Sequence, residues 1–176
     1  MIGFKQLLGR TVSRLFLIVW PPWGEEKESD IDICFGFVFN DDLNRLYVIS
    51  VDKDELWLPH ITFHPLPLEK YTWADFYPRM EMWMEAEDDS LSMEKECYEV
   101  TTSEIFENIV GNKIEETLFL RIENNEEPFG VKIIFKDDYI ISLPNSDGNT
   151  VETKIFNKNE GVEYFRHLGN VIYSAD

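Results

Sequence analysis

The sequence predicts an α+β fold: an antiparallel β-meander of about seven or eight strands, with about three helices packed on one face or at its ends. Three observations carry this prediction. A stretch of strict two-residue periodicity is followed across a polar turn by a second strand; several strand-like segments succeed one another across turns too short for a parallel crossover; and three amphipathic segments carry helix punctuation.

Leu15 to Trp20 is a short apolar run closed by Pro21 and Pro22, and it reads as a buried strand behind a short basic lead. From Ile31 to Phe39, the residues Ile31, Ile33, Phe35, Phe37 and Phe39 alternate with Asp32, Cys34, Gly36 and Val38, so the large side chains share one face. Asn40 to Asn44 then form a turn and Leu46 to Val51 returns as an antiparallel partner. Pro59, Pro65 and Pro67 confine His60 to His64 to a short edge strand or an extended loop. From Trp73 onward, Phe76, Tyr77, Met80, Trp83 and Met84 recur at helical spacing, Thr72 and Asp75 make a capping box, and Pro78 should kink the helix unless it lies in the first turn. Thr101 with Glu104 opens a second helix that Gly111 should end, and Asn157 with Glu160 opens a third that Gly169 should close. Glu116 to Ile122, Val131 to Phe135, Tyr139 to Leu143 and Val151 to Phe156 are the strands between them, and Asn170 to Ser174 is a last one.

The length of 176 residues fits one α+β domain over 1–176, with the acidic stretch 85–99 as a surface excursion from it. Apolar residues are 44% and aromatics 14% of the chain, which excludes a disordered protein. Acids outnumber bases 34 to 16, a formal charge of −18, and a sequence-independent nucleic-acid binder needs the opposite sign. The apolar run at 15–20 is too short for a secretory signal or a membrane span, so neither direct nucleic-acid nor membrane binding is expected. With only Cys34 and Cys97, reduced thiols in a cytoplasm are the simplest reading.

Catalytic signatures are missing. The glycines spell neither a Walker loop nor a dinucleotide fingerprint, and no glycine-flanked serine elbow is present. His60 and His64 lie roughly 13 Å apart on an extended segment, too far to share a metal, with His167 a remote third. Asp30 and Asp32, like Asp52, Asp54 and Glu55, read as solvated strand ends, and Asn145, Asp147, Gly148 and Asn149 place glycine wrongly for a calcium loop. Cys34 sits inside an apolar strand, and acidic neighbours around Cys97 should raise its pKa. No catalytic residue, metal ligand or cofactor is therefore assigned.

What remains is negative charge. Between Glu81 and Glu99, eight acids face one cation, Lys95, with Trp83, Met84, Met93 and Tyr98 interleaved, and Glu115, Glu116, Glu123, Glu126 and Glu127 form a second group. Charge at a rim around aromatic anchors is what a protein interface uses, so Glu81, Trp83, Glu85, Glu87, Asp88, Asp89, Glu94 and Glu96 are the candidate partner-binding residues.

The acidic and aromatic segment Met80 to Tyr98, followed by the order strand Tyr139–Leu143, turn, strand Val151–Phe156 and helix Asn157–Gly169, resembles the immunity proteins of bacterial polymorphic-toxin and contact-dependent growth inhibition systems. The resemblance implies a cytoplasmic antitoxin that binds its cognate basic toxin domain, often a nuclease, and blocks the active site or substrate groove without turnover. Two alternatives stand beside it: an acidic DNA mimic or other regulatory binding protein, and a metal-dependent enzyme using Asp52, Asp54 and His60 or His64. Oligomeric state is open.

Overall fold

A computed structural model describes residues 3–20, 31–51, 58–85, 95–145, 148–158 and 160–175. Among these, eleven strands form two sheets. The first contains β1 (Val12–Val19), β2 (Ile33–Phe39), β3 (Asp42–Val51), β4 (Pro59–Pro65), β5 (Tyr71–Thr72) and β6 (Glu96–Glu99), in the order β4-β3-β2-β1-β6-β5. The second contains β7 (Glu116–Ile122), β8 (Gly130–Ile134), β9 (Tyr139–Pro144), β10 (Asn149–Glu152) and β11 (Val171–Ala175), in the order β10-β9-β8-β7-β11. All pairings are antiparallel except β5 with β6. Helix α1 (Trp73–Met84) joins β5 to β6, and α2 (Gly161–Arg166) precedes β11.

The α+β class and the antiparallel character agree with expectation, but the strands are more numerous, the helices fewer, and the single meander is two sheets. The predicted hairpin is present, with Phe37 opposite Tyr47 and Phe39 opposite Asp42, so the chain reverses at Asn40 and Asp41 and β3 begins earlier than Leu46. Phe35, Phe37 and Phe39 form a ladder of rings, and Tyr47 meets Phe39 edge-on at 5.0 Å. Every residue of β2 is buried, because its other face packs Cys34 and Val38 against Phe16, Leu46 and Val48. Gly36 suits this face: a Cβ there would stand 2.9 Å from the Leu46 side chain.

Since β4 and β5 lie at opposite edges, residues 66–70 must cross the outside of the six-stranded sheet. Leu66 packs on the outer cluster, and Lys70 pairs with Glu99 above the Phe16 ring. The inner faces of both sheets and one side of α1 share a single apolar cluster. Its centre is aromatic, with Trp73 and Phe156 each in contact with the other and with both Phe76 and Phe106, at ring distances of 5.2 to 5.9 Å.

A polar residue also joins the sheets. Asn149 is fully buried; its Oδ1 accepts from the Val51 amide at 3.0 Å and the Ser142 hydroxyl at 2.7 Å, and its Nδ2 donates to the Ile33 carbonyl at 2.7 Å. Asp32 takes part, accepting from the Asn149 amide at 3.2 Å, and it is buried and not a solvated strand end.

Helix punctuation was a mixed guide. The capping box holds, with Asp75 accepting from the Thr72 amide at 2.8 Å, and α1 runs through Pro78, which is exposed and forgoes one backbone bond on the solvent side. The expected helix after Thr101 is only a 3-10 turn, Glu104–Phe106, capped by Ser103. The expected helix from Asn157 starts late: Asn157 and Glu160 have φ of 50° and 54°, left-handed values that no right-handed helix accommodates, so α2 begins at Gly161. Among the described residues no helix is long and apolar enough to cross a membrane.

Candidate functional site

Helix α1 buries Phe76, Met80 and Trp83 and turns Ala74, Tyr77, Pro78, Glu81, Met82 and Glu85 outward. Steps of four place Tyr77, Glu81 and Glu85 along one line, and Met82 lies beside them. Tyr77 is 47% exposed and Met82 38%. The last turn carries no basic residue. Acids near a helix C-terminus face the negative end of the backbone dipole, which disfavours the helix by about 0.3–1 kcal/mol each. Helix stability therefore does not account for Glu81 and Glu85. Together these side chains make an acidic surface with apolar contact area.

The predicted binding residues divide accordingly. Glu81 and Glu85 are exposed on this face. Trp83 is not an anchor for a partner: it is 2% exposed and belongs to the interior. Glu96 is not a rim charge either, being 9% exposed on β6 and held by Arg79 and the Tyr98 hydroxyl. The stretch 96–99 is thus an interior strand beside β1 and not part of an acidic excursion, while Glu87, Asp88, Asp89 and Glu94 lie outside the described residues. Tyr77 and Met82 were missed because Tyr77 was grouped with the apolar stripe. The spacing Trp73, Phe76, Met80, Trp83 separates the buried line from Tyr77, whose i+4 and i+8 neighbours, Glu81 and Glu85, are acids.

Paired charges occupy the two faces of β6, Glu96 on the α1 side and Glu99 on the side of the Phe16 ring. Arg79 bonds Glu96 and stands 3.9 Å over the Tyr71 ring; Glu99 receives Arg14 at 2.7 Å and Lys70. Burial pushes Glu96 upward, but the bonds from Arg79 and Tyr98 outweigh it and its pKa falls below the ordinary value. Hydrogen bonding from Arg14, then from Lys70, brings Glu99 down to about 2 against its desolvation. Burial, with the Glu96 carboxylate, pushes Tyr98 upward. Arg10 is likewise held by Asp41 at 2.8 Å. Arg10, Arg14, Lys70 and Arg79 are held in these pairs, while Glu81, Glu85, Glu115, Glu116, Glu123, Glu126 and Glu127 are exposed.

Of the residues proposed for metal chemistry, the histidines are the ones described. His60 and His64 both lie on β4, beside Ser50 at 3.5 Å and Thr62 at 3.0 Å respectively, and His167 follows α2. Among the described residues no three metal-ligating groups converge, and Asp30, Asp52 and Asp54 lie outside them. Cys34 and Cys97 flank Ile18 from the two neighbouring strands, about 10 Å apart by strand spacing and too far for a disulfide. The Cys97 pKa is raised, as expected, but burial raises it, with Lys95 acting in the opposite sense.

A second group of perturbed side chains occupies the outer face of the five-stranded sheet. Glu152 is buried and accepts from the Gly161 amide; Lys132 stands 4.2 Å over Tyr139 and 5.6 Å from the Tyr173 ring centre. Burial raises Glu152, and the charge of Glu160 adds to this while the Gly161 amide opposes it. A carboxyl whose folded pKa exceeds its unfolded value costs stability above the folded pKa and regains it as pH falls. Glu152→Gln keeps the acceptor oxygen and is expected to stabilise the protein at pH 7 and to be neutral near pH 4. Urea unfolding at the two pH values checks this, and equal stability of the two proteins at pH 7 would refute it.

No family model matches the chain, and comparison with curated proteins and with solved structures finds no significant similarity.

Proposed function

We propose that this chain is an immunity-type inhibitor that acts in a cytoplasm by laying the outer face of α1 on a basic toxin domain, a nuclease by class. The observation that carries the reading is the line Tyr77, Glu81, Glu85 with Met82 beside it, at a helix end where acids oppose the dipole and no base compensates them. Fixed carboxylates on such a face attract a cationic groove and occupy the positions that substrate phosphates would take. Tyr77 and Met82 supply the area that keeps the complex together. Turnover is not needed for this mode of action.

The test is association with a candidate basic toxin nuclease domain, measured by surface plasmon resonance at several salt concentrations, with survival of cells that express the toxin as a second readout. Glu81→Lys with Glu85→Lys is expected to slow association by about tenfold at low salt and to flatten the salt dependence. Tyr77→Ala with Met82→Ala is expected to speed dissociation. Kinetics unchanged in both double variants would remove α1 from the interface.

A further inference from the structure

Among the described residues, four strands end the two sheets: β4 and β5 in the first, β10 and β11 in the second. An edge strand offers a row of backbone donors and acceptors to another chain unless it is short, buried, or interrupted by proline or charge. Three of these edges are protected in those ways. Strand β4 is bracketed by Pro59 and Pro65, β5 has two residues, and β10 is buried along its length. Strand β11, Val171-Ile172-Tyr173-Ser174-Ala175, carries neither proline nor charge, and Ile172 and Tyr173 are each 41% exposed. Tyr164 in α2 and Leu168 just beyond it add two largely exposed apolar side chains just before β11 in the chain.

The backbone of this edge is poised for pairing. The Glu123 amide donates to the Asn170 carbonyl at 2.7 Å, and β11 continues antiparallel to β7 from Val171 opposite Ile122 to Ala175 opposite Leu118. Bonding alternates along an antiparallel ladder, so Ile172 and Ser174 bond toward β7 while Val171, Tyr173 and Ala175 turn their amides and carbonyls to the open side.

We propose that β11 is a self-complementary edge through which two copies of the chain dimerise, pairing antiparallel about a two-fold axis at Tyr173. In that arrangement Val171 meets the partner's Ala175 and Tyr173 meets the partner's Tyr173, so each outward residue faces another and the two sheets become continuous. Charge selects a second copy as the occupant. A chain of −18 repels its own copies, which can approach only where acid is scarce. The strand is uncharged, Arg121 bonds Ser174 within it, and Lys132 lies by Tyr173. Among the described residues, the nearby acids Glu163 and Glu123 are engaged, with Arg166 at 3.0 Å and Asn170 at 2.8 Å respectively. A basic partner has no electrostatic reason to choose this edge. The proposal stands on the sheet edges and is independent of the toxin reading.

Sedimentation velocity of the full chain across micromolar to submillimolar concentrations tests it, together with amide hydrogen exchange. The chain is expected to reach a dimer, with the amides of Val171, Tyr173 and Ala175 slowing as concentration rises. Tyr173→Lys sets like charges against each other across the axis and is expected to weaken the dimer at least about tenfold while leaving the circular dichroism unchanged. Tyr173→Pro removes an outward amide that the β7 ladder does not use, and should do the same where it folds. A chain that stays monomeric throughout, including one whose edge amides slow only on adding a different protein, would overturn the proposal. So would a dimer that survives Tyr173→Lys with those amides exchanging freely.

Discussion

Asn149→Ala is expected to lower the unfolding free energy by about 2–4 kcal/mol, because the substitution strands several buried groups at once. The Val51 amide, the Ser142 hydroxyl and the Ile33 carbonyl all bond to this one carboxamide, and they belong to three different strands in both sheets. A buried donor or acceptor left without a partner costs about 1–3 kcal/mol, more than the net worth of the bond it made, and water reaching the site recovers part of that loss. Asn149→Leu restores the lost volume without restoring the bonds, so it should be about as damaging as alanine if hydrogen bonding and not packing is what matters. Urea denaturation with an unchanged slope would measure both. A loss below about 1 kcal/mol in the alanine variant would mean that the sheets are held together without this residue.

Asn149 also illustrates what could be read from the sequence and what could not. Its neighbourhood, Asn145 to Asn149, has the composition of a turn, and Asn145 does accept from the Gly148 amide at 2.7 Å. Nothing local distinguishes an asparagine in a turn from one that begins a buried strand, since two of the three groups it satisfies, the Val51 amide and the Ile33 carbonyl, lie about a hundred residues away in the chain. Period-two patterning located β2, and strand-like composition between short turns, also a local signal, located β7 to β9 and the second half of β3. Strand β6 was hidden for the opposite reason: Glu96 and Glu99 look like surface acids until Arg79, Arg14 and Lys70 are brought to them by tertiary structure. The same long-range pairing removed Glu96 from the candidate site. Trp83 left it because helical spacing, read with Trp73, Phe76 and Met80, puts it on the buried line. Glu81 and Glu85 survived, since their exposure follows from that spacing alone.

Arg79→Met is expected to cost about 2–4 kcal/mol at pH 7, at and below the usual cost of orphaning one member of a buried ion pair because Arg79 is partly exposed. Its pH dependence distinguishes this cause from lost packing. In the natural chain the Glu96 and Glu99 carboxyls lie below their ordinary values, Glu99 at about 2. A depressed carboxyl contributes stability that is present above its unfolded pKa and is lost as pH falls toward the folded one, so the protein should weaken between roughly pH 4.5 and 2. Without Arg79 the desolvation of Glu96 is opposed mainly by the Tyr98 hydroxyl, and its folded pKa moves upward. The variant then gains relative stability as acid protonates Glu96, so the gap between the two proteins should narrow from pH 7 to pH 4; a gap independent of pH would assign the loss to packing. Adding Glu96→Leu removes the stranded charge and should recover part of the loss at neutral pH, because two apolar residues can occupy the site of a buried pair at little net cost. Arg79 would then be needed chiefly because Glu96 is there, and the pair's contribution would lie in fixing α1 against β6, which orients Tyr77, Glu81 and Glu85 toward solvent.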